Sequence, residues 1–387
     1  MKKLLIILSD RISEIIAKGE IIDRYYNPGD VFDEVHFLMI GDDRPDGRHL
    51  QKLVGRAHFH VHNYPAGRRV FLRTLGWRPV LLRRWAKGAV GLAARIRPSL
   101  VRCHGAHLNA YVASEIKRVL GVPYLVSLHI NPDEDVRGRD AGFIERLRNT
   151  AIRTVEKTAL RNADLVMPVY RPIVPYLERL GVRRYEVCYN VLNPAHLKEK
   201  ADYALHSPVR IISVGRQFHE KNPDNLIRAV ASLPNVQLTL VGDGSYHDYL
   251  RRVADETGCG ERFVFHRALS NDALCSMLPE FDIFAVHSEY WEIAKSVLEP
   301  LLCGMPVIIN RRAGEPVPEL TQDICMLIDN SVEGYRDAIL ALVRDDGLRE
   351  RLGRAAYAHA AAYWVPEKTE AKFAGIYRKH MLPEERA

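Results

Sequence analysis

The chain has 387 residues, 47% of them hydrophobic and 27% charged, with a formal net charge of +7. That length exceeds what one hydrophobic core ordinarily serves, so two domains are expected, and the composition excludes a disordered or fibrous chain. No apolar run approaches the roughly 20 residues needed to span a bilayer. Six scattered cysteines (Cys103, Cys188, Cys259, Cys275, Cys303, Cys325) form no CxxC pair and read as reduced, buried small hydrophobes of a cytoplasmic protein.

In chain order, the opening MKKLLIILSD carries an apolar core only from Leu4 to Leu8, too short for a signal peptide. It reads as a buried first strand over 3–8. Further strands are predicted at 34–39, 100–103, 124–128, 165–168 and 185–189, with helices at 108–120 and 141–161 between them. Short strands separated by helical stretches imply βα units and a mostly parallel sheet. His58, His60 and His62 alternate as on one strand face, but no carboxylate or cysteine stands at ligand spacing along the chain, and no metal site is expected.

Residues 68–102 hold ten Lys or Arg and no Asp or Glu, with Phe71, Trp77 and Trp85 among them. From Leu81 the apolar positions Trp85, Ala89, Leu92 and Ile96 fall at helical spacing, while Arg84, Lys87 and Arg95 share another face. Such a segment suits an anionic membrane surface. A solvated basic helix with its tryptophans in the core fits the same pattern, and no nucleic-acid-binding signature supports a third reading.

Residues 190–208 read as an inter-domain connection, after which the rhythm restarts. Strands are predicted at 209–214, 237–241, 263–265, 283–286, 306–309 and 325–328. Helices are predicted at 222–231, 246–257, 271–278, 296–302, 332–344 and 366–380. Two successive doubly wound domains would leave a cleft at the carboxyl ends of their strands, where ligands bind.

Two segments of the second half carry chemistry. In SVGRQFHEKN an apolar strand stops at Gly215, and Arg216 and Lys221 follow: a glycine lets backbone approach a phosphate, and two cations neutralise its oxygens. In SEYWEIAKSVLEPLLCGMPVI, the helix start at Ser296 and Val297 would offer its free amides to an anion. Lys295 stands beside it, and Glu299, one turn in, could accept hydrogen bonds from a ribose diol.

Together these segments resemble a retaining glycosyltransferase of family 4 with the GT-B fold. Gly215, Arg216 and Lys221 match the family's glycine, arginine and lysine after the first strand of its second domain. LVGDG, from Leu240 to Gly244, matches its second strand and glycine turn, and Glu299 in LEPLLCGMPVI matches the second of its paired glutamates. The register puts the first glutamate at Trp291, with Glu292 one residue on and Glu289 two before, so Glu292 is expected to take that role beside the donor sugar. In the first half, His129 in PYLVSLHINPDED matches the family's histidine near the donor sugar, and Glu156, NADLVMPVY and CYNVLNPA match more loosely. The paired glycines of the family's first loop are missing; Arg11 and Lys18 are its polar residues here.

The resemblance implies two Rossmann-like domains, 1–192 for the acceptor and 193–365 for the nucleotide-sugar, facing a central cleft, with a helix at 366–387 returning to the first. It implies transfer with retention from a UDP-, GDP- or other nucleoside-diphosphate sugar to a glycan or lipid-linked hydroxyl, as in lipopolysaccharide or exopolysaccharide synthesis. Arg216, Lys221 and the helix start would stabilise the leaving diphosphate, His129 would orient the sugar, and neither metal nor cofactor would take part. The enzyme would be cytoplasmic, peripheral on the inner membrane face, and would have no nucleic-acid partner. A sugar-nucleotide epimerase of the same architecture and a non-catalytic nucleotide-binding module are the alternatives.

Overall fold

The computed structural model describes residues 1–17, 21–66, 68–74, 78–132, 143–190, 192 and 197–383. Lys18, Trp77 and residues 191 and 193–195 of CYNVLNPA lie outside them. The chain divides into two compact units, one built from Met1–Ala17, Ile21–Val191 and Glu367–Ala387, the other running from Leu192 to Pro366.

In the first unit, β1 (Lys3–Leu8), β2 (Glu34–Met39), β3 (His58–Asn63), β4 (Leu100–His104), β5 (Tyr124–Leu128) and β6 (Leu165–Pro168) pair in parallel in the order β3-β2-β1-β4-β5-β6. Strands β4 and β5 are buried at every position, as central strands of a parallel sheet are, although Arg102, His104 and Ser127 interrupt their apolar residues. The connecting helices are α1 (Ile12–Ala17), α2 (Gly47–Val54), α3 (Arg68–Arg73), α4 (Pro79–Ile96), α5 (Leu108–Leu120) and α6 (Phe143–Asn162), with α7 (Val174–Arg179) after β6. Helix α5 stops at Gly121, whose φ of 72° lets its amide close on the Lys117 carbonyl.

Two expectations for this unit need correction, and one strand joins those predicted. The segment 185–189 is not a strand: it makes one isolated bridge, Tyr185 to Val166, although the Glu186 and Cys188 amides reach the carbonyls of Val166 and Pro168. The segment HFHVHN is a strand, because only one of its faces, Phe59 and Val61, is apolar enough to pack on the core. In α4 the buried stripe is Leu82, Ala86, Ala89, Ala93 and Ile96, turned from the one expected. Trp85 is half-buried and lies against Tyr64, ring centroids 5.0 Å apart.

In the second unit, β7 (Val209–Val214), β8 (Val236–Val241), β9 (Phe263–His266), β10 (Ile283–Val286), β11 (Val307–Asn310) and β12 (Met326–Ile328) form a parallel sheet in the order β12-β11-β10-β7-β8-β9. Counted from its own first strand, this is the strand order of the first unit, the doubly wound order of dinucleotide-binding domains. The helices are α8 (Asp224–Ala231), α9 (His247–Glu256), α10 (Asn271–Met277), α11 (Lys295–Leu302), α12 (Val332–Arg344) and α13 (Asp346–Tyr363). Helix α13 was not anticipated: its AAYAHAAAY stretch has little apolar periodicity, yet Asp345 caps it by accepting the Leu348 amide at 2.8 Å.

Helix α14 (Pro366–His380) packs into the core of the first unit through Phe373, Ala374, Ile376 and Tyr377. The buried Arg102 of β4 anchors it. Its guanidinium donates to the Tyr377 hydroxyl at 2.5 Å and lies 4.6 Å from the Phe373 ring centroid.

Candidate functional site

In a doubly wound sheet the chain turns outward in opposite directions where the strand order reverses, and ligands bind at the carboxyl ends there. In the second unit that point lies between β7 and β10. Gly215 directly follows β7, and His287 and Ser288 follow β10. A small pocket at this point is lined by Gly215, Lys221, His287, Ser288, Glu292, Ala294, Ser296, Val297 and Arg312.

The loop after β7 is shaped by glycines of the next turn. At Gly242, with φ of 151°, a Cβ would stand 1.9 Å from the Gly215 carbonyl oxygen; at Gly244 it would stand 2.1 Å from that of Gln217. No side chain fits at either position, so LVGDG is the seat of the loop. The Gln217 amide donates to the Asp243 carbonyl at 2.9 Å, and His247 Nδ1 lies 2.7 Å from Gln217 Oε1. Gly215 differs: a Cβ there would meet nothing within 4 Å. Protein packing does not require that glycine, and the space it leaves belongs to the pocket.

Helix α11 begins one residue earlier than expected, at Lys295, after Ala294 in extended conformation and without a side-chain cap. Its Val297 amide donates to the Ala294 carbonyl at 2.9 Å, so Val297 contributes its position and not a free donor, which corrects the sequence reading. The Ser296 amide stands in the first turn, where a helix has no acceptor of its own. The positive end of the helix dipole therefore faces the pocket.

Among the candidates, Gly215, Lys221, Glu292, Ser296 and Val297 line this pocket together. The Lys221 ammonium is ion-paired with the Glu292 carboxylate and stands 5.5 Å from the Tyr290 ring centroid. Glu289 is exposed, and Trp291 donates its indole N–H to the Glu315 carbonyl at 2.7 Å. Of the two glutamates near the expected register, Glu292 is the one at the pocket.

Arg216, Lys295 and Glu299 do not line it. Arg216 is exposed, with its guanidinium 5.2 Å from the Phe218 ring centroid. Glu299 is buried and accepts from Asn271 Nδ2 at 2.9 Å. Burial and the nearby Glu299 charge push the Cys303 thiol up to about 12, so that cysteine stays protonated.

Two pocket residues escaped the sequence reading. Arg312 is buried, and its guanidinium donates to the Tyr290 and Asn310 carbonyls, both at 2.6 Å. Its signal was the basic pair Arg311-Arg312 directly after a strand, the same pattern that singled out Arg216. His287 is buried, and desolvation, reinforced by the Arg312 charge, lowers its pKa to about 4. It is neutral at pH 7.

In the first unit, His129 directly follows β5. Its Nδ1–H faces Asn190 Oδ1 at 3.3 Å, and its ring stacks on His104 at 5.1 Å with an interplanar angle of 10°. Glu156, buried on α6, contacts His107 Nδ1 at 3.1 Å and accepts from the Tyr176 hydroxyl at 3.4 Å. A groove of about 680 Å³ between α4, α5 and α6 is bordered by Arg78, Arg83, Lys117, Arg118, Arg161 and Arg184. Among the described residues, no helix is long and apolar enough to cross a membrane.

Comparison with known proteins agrees with this architecture. The family model described as glycosyl transferases group 1 matches residues 197–359, and that of the glycosyl transferase 4-like domain matches residues 32–190. The lipopolysaccharide core biosynthesis glycosyltransferase LpsE of Rhizobium meliloti is 32% identical over 198 residues, 50% of this chain and 57% of that protein. The D-inositol 3-phosphate glycosyltransferase of Mycolicibacterium smegmatis is 27% identical over 302 residues, 76% of this chain and 65% of that one. In both cases the match spans less than two thirds of the relative's length. Among solved structures, Anabaena HepE in complex with UDP superimposes with a TM-score of 0.72 at 17% identity, covering 98% of this chain and 100% of that one. Two family domains in sequence, each with the doubly wound strand order, make the chain a member of the group 1, family 4-type glycosyltransferases with the GT-B fold.

Proposed function

We propose that the protein moves a sugar, with retention of configuration, from a nucleoside-diphosphate sugar to a hydroxyl of a glycan or lipid-linked acceptor in cell-surface polysaccharide or lipopolysaccharide synthesis. One observation carries the reading: Lys221, Gly215 and the first turn of α11 line one pocket at the carboxyl ends of β7 and β10. A diphosphate leaving group develops negative charge as the glycosidic bond breaks, and preorganised donors at that position lower the barrier. Lys221 and the Ser296 amide would meet the phosphates, with Arg216 swinging in from its exposed position and Arg312 adding fixed positive charge behind them. Glu292 would accept hydrogen bonds from sugar hydroxyls once phosphate competes for Lys221.

Glu299, held by Asn271, would take the ribose. His129 would orient the sugar, and the acceptor hydroxyl would attack on the face the diphosphate leaves, with a phosphate oxygen taking its proton. Side-chain cations and helix amides supply the charge stabilisation in this scheme, so it includes no metal step. The relatives' names support the substrate class: LpsE is a lipopolysaccharide core biosynthesis enzyme, and the HepE structure holds UDP.

The test is titration calorimetry with UDP, GDP and ADP, followed by turnover of the matching sugar donors with and without acceptor glycans. One diphosphate should bind saturably, and the product should keep the donor's anomeric configuration. Inversion, or failure of all diphosphates to bind, overturns the reading. Turnover without acceptor that yields the epimeric sugar would instead establish the epimerase.

We also place the acceptor at an anionic membrane surface. Arg83, Arg84, Lys87, Arg95 and Arg97 of the α4 segment are exposed, together with Leu72 and Val80. Replacing Arg83, Arg84, Arg95 and Arg97 with glutamine should lower sedimentation with anionic vesicles more than turnover of a soluble acceptor; unchanged sedimentation removes the membrane.

A further inference from the structure

The edge of the first sheet carries chemistry that sugar transfer does not use. Alternation puts His58, His60 and His62 of β3 on one face. Parallel pairing with β2 sets Glu34 opposite His58 and His36 opposite His60, so a carboxylate and a fourth imidazole join that face. Distance along the chain hid this, because the register and not the local spacing supplies Glu34 and His36. The opposite face, with Val35, Phe37, Phe59 and Val61, is packed into the core and fixes which side the imidazoles take.

The side chains are already gathered. The His36 ring stacks on His60 at 4.6 Å and on His62 at 5.5 Å. His36 Nε2 lies 3.2 Å from Glu34 Oε2, and His36 Nδ1 lies 3.2 Å from His62 Nε2. One ligand atom each from Glu34, His36 and His60 falls within 4.8 Å of the others. Ligand atoms about 2 Å from a shared ion stand roughly 3.3 Å apart in a tetrahedron, so small rotations close the set.

We propose that Glu34, His36 and His60 form a binding site for a zinc-class divalent cation, with His62 fixing the His36 ring from behind. Two imidazoles and a carboxylate are a donor set of borderline softness, suited to Zn²⁺, Co²⁺ or Ni²⁺ and poorly suited to Mg²⁺ or Ca²⁺. On binding, His36 Nε2 turns its lone pair to the ion, and Nδ1–H donates to His62 Nε2, the outer hydrogen bond that metal-bound histidines ordinarily make. Lys3, whose ammonium lies 3.1 Å from Glu34 Oε2, is the competing cation and moves toward solvent. Arg95 of α4 is the other cation acting on this group, through His62. Three protein ligands leave the fourth tetrahedral position to water, which reaches the site beside exposed His60. The ion would clamp edge strand β3 to β2, where a sheet is otherwise least protected.

The test uses full-length protein without a polyhistidine tag. Zn²⁺ titrated by calorimetry should bind at one equivalent per chain, Co²⁺ should give visible d–d absorption bands, and excess Zn²⁺ should raise the melting temperature. His60→Ala and Glu34→Gln should each weaken binding about a hundredfold, and His62→Ala about tenfold. His58→Ala, on the same face but outside the trio, should leave it unchanged. Because His60 is exposed, its replacement should not unfold the protein; circular dichroism checks this. Absence of saturable uptake at one equivalent, uptake that survives His60→Ala, or equal loss with His58→Ala overturns the site.

Discussion

The two units share a strand order and differ in what stands at its reversal point. In each, a glycine beyond the second strand backs onto the carbonyl of the residue just after the first strand. In each, a buried histidine, His104 or His287, stands at the end of the fourth strand. In the second unit the residue after the first strand is Gly215, and the loop beyond it carries Lys221 to the start of α11. In the first unit that residue is Ser9, the glycine behind it is Gly41, and the following loop begins with Asp10 and Arg11. The topology is a common scaffold. On the proposed function, whether it takes a phosphate depends on which side chains are left out of one loop and which cation is brought in.

The sharpest break would come from the paired glycines. Gly242→Val puts a Cβ 1.9 Å from a backbone oxygen at a left-handed φ, whereas at Gly41 the distance is 3.2 Å. Urea unfolding should show a loss of about 4 kcal/mol or more for Gly242→Val and about 1–2 kcal/mol for Gly41→Val. Equal losses would mean that the two turns are under the same constraint.

Acid should weaken the second unit next. His287 has a folded pKa of about 4 against an ordinary 6.5, so between those values the unfolded chain binds the extra proton. The stability of neutral His287 is fully present above pH 6.5 and is lost as pH falls through 4, about 3 kcal/mol in all. His287→Gln should flatten the fall in urea midpoint between pH 7 and pH 4; an unchanged slope assigns it to other groups.

Within the pocket, Lys221→Ala should lower kcat for sugar transfer about a hundredfold, the usual scale for one charge-stabilising donor. His129→Ala should instead act on the sugar and leave nucleoside-diphosphate affinity within about twofold. If both variants lost nucleotide binding alike, the division of labour between the units would be wrong. The smallest effect in stability is the most diagnostic in binding: Gly215→Ala should change the urea midpoint by less than about 0.5 kcal/mol, because its Cβ meets open space. It should nonetheless weaken nucleoside-diphosphate binding about tenfold in calorimetry. A stability loss without a binding loss would make Gly215 a packing residue.

Much of the fold was legible because parallel strands buried on both faces read as apolar runs. Strands β1, β2, β5, β6, β7 and β10 stand at their predicted bounds. Edge and surface elements were harder. For β3 only the alternation of its three histidines was legible, and not its bounds, while α13 hid behind a run of alanines. The stretch 185–189 looked like a strand but bonds to β6 only in single contacts, because apolar character does not ensure a continuous ladder. Glycine and cation spacing pointed to Gly215, Lys221 and the start of α11, which line one pocket. It did not find Arg312, which lies behind the pocket by virtue of β11 pairing with β10.

The sequence by itself determined the alternation of elements, the number of domains, the family, and the loop that ends β7, since each of these is a pattern between near neighbours along the chain. Only the tertiary structure decided that Glu292 and not Glu289 faces Lys221, that Arg216 points outward, and that Glu34 and His36 join the histidines of β3. Those outcomes depend on strand register and on side-chain direction at turns, which place distant residues within a few ångströms and leave no periodic trace in the order of amino acids.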